Sequence, residues 1–266
     1  RVDPWLAKPL PLSGLVEGTA VLDGTLEELS TRGRVTLLRP GPEEDPITAD
    51  FGGTLHLADG FGFTDLRATL DPFDFGILET FVGRARVQGG GLVTLEATGR
   101  ASDAISFTAG ISHRPTGLPV SEVAAQGTVQ QQGGSWAVDI RANVQPLSLT
   151  ALARDYPSLP LTGEVSGSFR VNGPLSELNL ETDLSTEGGH LGMTARFDVT
   201  NPGAHYAIQG QVADFTVSRV VTAVPAPTVI TGTIDVEGRG TDYGLLTLDA
   251  HARLRPSRVG QLSVDT

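Results

Sequence analysis

The residues best suited to hold a metal or move a proton near neutral pH are five histidines: His56, His113, His190, His205 and His251. They are scattered, and no two stand close enough in sequence to suggest a metal pair. His251 alternates with Ala250 and Ala252, as a residue on the wet side of a strand does. There is no cysteine, which excludes disulfides and thiolate ligands. The patterns of a serine hydrolase elbow, a zincin helix, a phosphate-binding loop and an EF-hand do not occur. The stretch from Gly238 through Gly240 to Gly244 imitates a dinucleotide fingerprint. Its spacing is wrong and it runs on into a strand-like segment, Leu245 to Leu254, where a helix is required, so it reads as a hairpin turn. Glu43, Glu44 and Asp45 form a carboxylate cluster in a proline-rich loop and read as solvated. The expectation is a chain that is not an enzyme and takes no cofactor or metal.

Strands dominate the pattern. In Glu164–Asn172 the apolar side is Val165, Gly167, Phe169 and Val171, and the polar side is Glu164, Ser166, Ser168, Arg170 and Asn172. The same period of two runs through Leu178, Leu180 and Leu184, through Leu191, Met193, Ala195 and Phe197, and through Trp136, Val138 and Ile140. It also runs through Val93, Leu95 and Ala97, and through Ile105, Phe107 and Ile111. About fifteen such segments are joined by short glycine-rich links, which implies antiparallel hairpins, not parallel crossovers. Arg39 to Pro46 is the one clear irregular loop. Every strand then has one greasy and one wet face, and no long amphipathic helix is available to cover the greasy one. A closed barrel or sandwich would bury it within the chain. An elongated, twisted sheet curled into an open groove would shelter it without sealing it.

Composition narrows the partners. The formal charge is −12, which argues against nucleic acid and against strong docking on anionic headgroups. No run of apolar residues is long enough to cross a bilayer as a helix, and Pro225 and Pro227 break the nearest candidate, Val217 to Ile230. With Arg1 at its start and Thr266 inside a strand-like pattern, the sequence reads as a segment of a longer protein.

Leu10 to Leu29 (LPLSGLVEGTAVLDGTLEEL) and Leu159 to Leu178 (LPLTGEVSGSFRVNGPLSEL) match without a gap at an offset of 149, with ten of twenty positions identical. Val229 to Gly238 is a partial third copy of Glu164 to Gly173. Gapless copies predict matching strand positions for Gly18 and Gly167, and for Val16 and Val165. Apolar leaders precede the glycine motifs, and they predict short helical turns near Ile77–Phe81, Leu149–Tyr156 and Val217–Val224. The whole chain, 1–266, reads as one repetitive β-domain with units near 5–70, 71–145, 146–211 and 212–266.

The motif L-x-G-x-[VL]-x-G, continued by alternating apolar residues, resembles the AsmA-like superfamily, most closely its translocation and assembly module branch, TamB. The resemblance is clearest over residues 5–38, 146–185 and 212–254. It implies a parent anchored in the inner membrane of a diderm bacterium and crossing the periplasm. It also implies an apolar β-groove that carries phospholipid between inner and outer membranes and supports outer-membrane assembly. The partner it implies is a BamA-like barrel, TamA, reached through parts of the parent not present here. The expected groove lining is Ile105, Phe107, Ile111, Trp136, Val138, Ile140, Val165, Phe169, Val171, Leu178, Leu180, Leu184, Leu191, Met193 and Phe197. The alternative is a structural β-repeat scaffold or an adhesin-like module with a sealed core.

Overall fold

The computed structural model describes residues 14–39, 45–58, 60–81, 86–157, 159–201, 205–224, 227–239 and 247–264. It contains a single antiparallel sheet of sixteen strands. Four begin it: β1 (Leu15–Gly24), β2 (Leu29–Leu38), β3 (Ile47–His56) and β4 (Gly62–Asp74). A 3-10 turn at Phe75–Ile77 runs into a one-turn helix, α1 (Leu78–Phe81). Next come β5 (Gly90–Arg100), β6 (Ile105–Arg114), β7 (Ser121–Gln132) and β8 (Ser135–Ser148), then α2 (Leu149–Asp155). The third group is β9 (Glu164–Pro174), β10 (Leu178–Thr186), β11 (Gly189–Phe197) and β12 (His205–Thr216), closed by a 3-10 turn at Val217–Arg219. Then follow β13 (Thr228–Arg239), β14 (Thr247–Leu254), β15 (Ser257–Val259) and β16 (Leu262–Val264). Strands neighbour one another in chain order up to β13, which pairs with both β14 and β15. The sheet does not close into a barrel.

The unit is therefore four strands and a helical turn. The first strand of each unit carries a glycine at its last or last-but-one position: Gly24, Gly99, Gly173 and Gly238, which lie 75, 74 and 65 residues apart. The offset of 149 between the two best sequence copies spans two units. The backbones of those copies are equivalent. Val16 pairs with Leu37 and Val165 with Thr186, and Gly18 and Gly167 pair with Val35 and Leu184, all at the same offset. Gly18 and Gly167 have φ of 149° and 148°. A Cβ on Gly167 would sit 2.1 Å from the Asp183 carbonyl oxygen, and one on Gly18 2.2 Å from that of Arg34. Glycine is needed there because the neighbouring strand passes too close for a side chain. Val16 and Val165 differ only in cover: 58% of Val16 is exposed on the edge strand, against 5% of Val165.

The three helical segments follow β4, β8 and β12, so all lie along the same long rim, about 19 Å apart at four strands' spacing. The sequence at each is apolar, polar, apolar: Phe73-Asp74-Phe75, Leu147-Ser148-Leu149 and Phe215-Thr216-Val217. The polar residue is the N-cap. Asp74 accepts a hydrogen bond from Gly76 N (2.8 Å) and Ser148 Oγ accepts one from Ala151 N (3.1 Å). A register shift in the preceding strand lets the chain leave the sheet at each place. The expected turns at Ile77–Phe81 and Leu149–Tyr156 lie within these segments, while the third is shorter, a single 3-10 turn. Most of the irregular loop, 40–44, and the Gly240 to Gly244 turn lie outside the described residues.

Candidate functional site: a charge-free face

Because directly paired residues share a face, the register traces continuous rows across the sheet. One row runs Ala20, Gly33, Phe51, Ala68, Leu95, Ala109, Ala125, Ala142, Phe169, Thr182, Met193, Gly210, Ile234, Ala252. A parallel row runs Leu66, Ala97, Phe107, Gly127, Ile140, Val171, Leu180, Ala195, Ile208, Val236, Ala250. From β1 to β14 no paired position on this face holds Asp, Glu, Lys or Arg. Among the described residues the charges at paired positions stand on the other face, where Arg34–Asp50 (2.7 Å), Arg67–Glu96 (3.3 Å), Arg170–Asp139 (3.6 Å) and Arg253–Asp235 (3.4 Å) pair across strands. Two hydrogen bonds from the Arg34 guanidinium hold the Asp50 carboxyl below its ordinary range, and the same contact raises Arg34.

Burial on the charge-free face is uneven. Toward the strand ends several side chains are buried: Ile105, Leu178, Val144, Val165, Leu184 and Val212. Along the middle Phe51, Leu95, Phe107, Ile140, Phe169, Val171, Leu180 and Met193 are only half-buried. Outside the helical turns, substantial packing joins only strands that neighbour one another, so no second layer covers this strip among the described residues. The result is a half-open floor of apolar side chains along the middle of the sheet. Thr182 is polar and lies on this face as well, 7% exposed, and its hydroxyl has no hydrogen-bond partner.

All fifteen residues singled out in the sequence fall on this one face. Ile105, Val165, Leu178 and Leu184 are buried. Phe107, Ile111, Val138, Ile140, Phe169, Val171, Leu180, Leu191, Met193 and Phe197 are half-buried. Trp136 stands at the turn end of β8, 38% exposed. The face also takes in Phe51, Ala68, Leu95, Ile208 and Ile234. Leu95 alternates with Val93 and Ala97 in the sequence as well, whereas register shifts in β3, β4 and β12 interrupt the alternation beside Phe51, Ala68 and Ile208.

The rim bearing the helices is cross-linked. Gln88 N donates to Asp155 Oδ2 (3.1 Å), Arg154 Nη2 donates to Gln88 O (2.7 Å) and Arg86 N donates to Tyr156 Oη (2.9 Å). Farther along, Thr162 N donates to Val220 O (3.0 Å) and Thr222 N to Pro160 O (2.8 Å). Leu149 packs on the cluster of Val212, Phe215 and Val220. Each unit's helical turn is thus tied to the next.

The histidines are structural or solvated. His56 bridges the Glu27 carbonyl (2.6 Å) and the Thr64 hydroxyl (2.8 Å), and His113 stacks edge-on to Phe75. His190 lies 2.7 Å from Asp183. No group of three metal-ligating side chains occurs among the described residues. A shallow cavity of about 550 Å³ is lined by Arg141, Arg170, Glu181 and Asp183, which carry both signs, together with Phe169, Thr182 and Met193. No protein-family model matches the chain, and comparison with curated proteins and with solved structures finds no match.

Proposed function

We propose that this chain is part of a lipid conduit: an open β-trough whose apolar floor carries phospholipid acyl chains through an aqueous compartment. The observation that carries the reading is the floor itself, charge-free across fourteen strands and half-open to solvent along its middle. A soluble monomer rarely leaves an apolar surface of that extent uncovered without a use for it. The paired strands span about 60 Å, far more than one acyl chain needs. Each methylene moved from water onto the floor gains at most about 0.8 kcal/mol, so a chain held along part of its length binds usefully. A floor of similar apolar rows from one end to the other has no deep trap, and a bound chain can slide. The resemblance to the AsmA-like superfamily supports phospholipid as the cargo, and the periplasm of a diderm bacterium as the setting. It also supports a part in outer-membrane assembly.

The experiment is photo-crosslinking in the parent protein, with native mass spectrometry of the purified chain for co-purified phospholipid. Crosslinkers at Phe169 and Met193 should capture phospholipid, and crosslinkers at Glu181 and Arg170 should not. Phe169→Glu or Met193→Asp should block lipid delivery while the fold persists, because an unpaired charge on an apolar floor is costly. Equal labelling of the two faces would overturn the conduit and leave a structural scaffold.

A further inference from the structure

We infer that the corner of the sheet formed by the β1–β2 and β3–β4 turns is a docking surface for a basic amphipathic segment of a partner protein. Leu26, Leu57 and Phe61 stand on these turns, 63%, 42% and 50% exposed. The turns are one unit: Leu57 N and Ala58 N both donate to Leu26 O, at 2.8 and 3.1 Å. Phe61 stacks edge-on to Phe63 at 4.7 Å, and its carbonyl accepts from Ala101 N of the next turn (2.8 Å).

The display is rigid. His56 is buried beneath it, and its Nδ1 donates to the Glu27 carbonyl, leaving Nε2 to accept from the Thr64 hydroxyl. Thr25 and Glu28 close the first turn through a backbone hydrogen bond (3.2 Å). Three large apolar side chains held outward by a pinned backbone lose little freedom on binding, which favours recognition.

Charge selects the occupant. Asp23, Glu27 and Glu28 border the apolar residues, and the Glu27 and Glu28 side chains are exposed. A second copy of this chain would bring the same carboxylates against themselves. An anionic membrane is repelled for the same reason. A helix with one apolar face and Lys or Arg along its margin satisfies both features at once. Phe61 meets the margin of the trough floor through Phe63, which packs on the cluster of Ala97, Ala101 and Ile105, but the bordering carboxylates have no counterpart on the charge-free face, so the inference holds whether or not the floor carries lipid.

The test uses the full chain and a fluorescent synthetic amphipathic helix of leucine and lysine, read by anisotropy. The peptide is expected to bind, and salt at about 0.5 M should weaken it severalfold by screening. Leu26→Ser with Phe61→Ser should weaken it about tenfold or more. Glu27→Gln with Glu28→Gln, which touches only exposed groups, should remove most of the salt dependence. Neither pair should change phospholipid crosslinking at Met193. Three results would overturn the inference. The first is equal binding of a leucine–glutamate helix. The second is peptide binding that survives Leu26→Ser with Phe61→Ser but is lost in Phe169→Glu. The third is a self-association or a flotation with phosphatidylcholine vesicles that depends on Leu26.

Discussion

The two long rims of the sheet are built on different terms. Along one, a helical turn follows β4, β8 and β12; Asp155, Arg154 and Tyr156 reach residues 86 to 88, and Leu149 packs on the third turn's cluster. Along the other, hairpin turns are joined mainly by main-chain bonds, such as Leu175 N to Trp136 O (2.9 Å) and Val199 N to Leu175 O (3.0 Å), with His56 as a side-chain tie to Glu27 O. The helical turns of the first rim bury large apolar residues, with Phe75, Ile77, Phe215 and Val220 all at most 7% exposed. The second displays Leu26, Leu57, Phe61 and Val199. A single-layer sheet must obtain its rigidity somewhere. Here the helical rim sets the spacing of the units, and the turn rim is left free to present side chains. Substitutions should therefore be costly on one rim and nearly silent on the other.

The largest effect is expected at Phe215, which packs with Val212 and Val220 where the third helical turn meets α2. Phe215→Ala should cost about 3 to 5 kcal/mol in urea unfolding, through lost burial and the cavity left behind. A cost below about 1 kcal/mol would mean that the helical rim does not hold the sheet. Next comes Ser148, fully buried, whose hydroxyl caps α2 and whose N–H donates to Ser121 Oγ (2.9 Å). Ser148→Ala should cost about 1 to 2 kcal/mol. Ser148→Asp, which keeps the acceptor but buries a charge, should not rescue it.

How much of this was legible depends on which interactions are local. Alternation placed Phe169, Met193 and Leu180 on one face because a strand's period of two survives from sequence to sheet. The capped turns were legible from apolar leaders such as Leu147-Ser148-Leu149. The count of four strands in each unit was not. The second unit opens with Val93 in the row where Gly18, Gly167 and Gly232 stand in the others, so its sequence copy fades while its backbone role persists. The contrast between rims was also hidden. It rests on contacts between residues such as Gln88 and Asp155, 67 positions apart, whose partners no local pattern announces.

Between the rims lies Thr182, and there the expected effect has the opposite sign. Its buried hydroxyl has no partner, so Thr182→Val, nearly the same shape, should stabilise the chain by about 1 kcal/mol. Destabilisation instead would reveal a hydrogen bond formed at the trough floor in solution. On the turn rim, Leu26→Ser should change stability by no more than about 0.5 kcal/mol, since the side chain is already in water. A larger loss would place Leu26 among the packing residues and remove the contrast.

The smallest effect is a pH dependence on the turn rim. Asp198 accepts hydrogen bonds from the hydroxyl and the backbone N–H of Thr200, at 2.6 and 2.7 Å, and these hold its carboxyl below the ordinary range. A depressed carboxyl contributes stability above its unfolded value, near pH 4, and loses it as the pH falls through the folded value. Asp198→Asn should therefore lower the urea midpoint slightly at neutral pH, with the two curves converging in acid. The site is exposed, so the gap should be a fraction of that for Ser148→Ala. Added salt should leave the gap almost unchanged, because the shift comes from neutral hydrogen-bond donors. At Asp50 the donor is the Arg34 guanidinium, and there salt should narrow the corresponding gap. If the Asp198 difference instead persists at low pH, the carboxyl's charge is not what holds that turn. The turn rim would then depend on backbone shape alone.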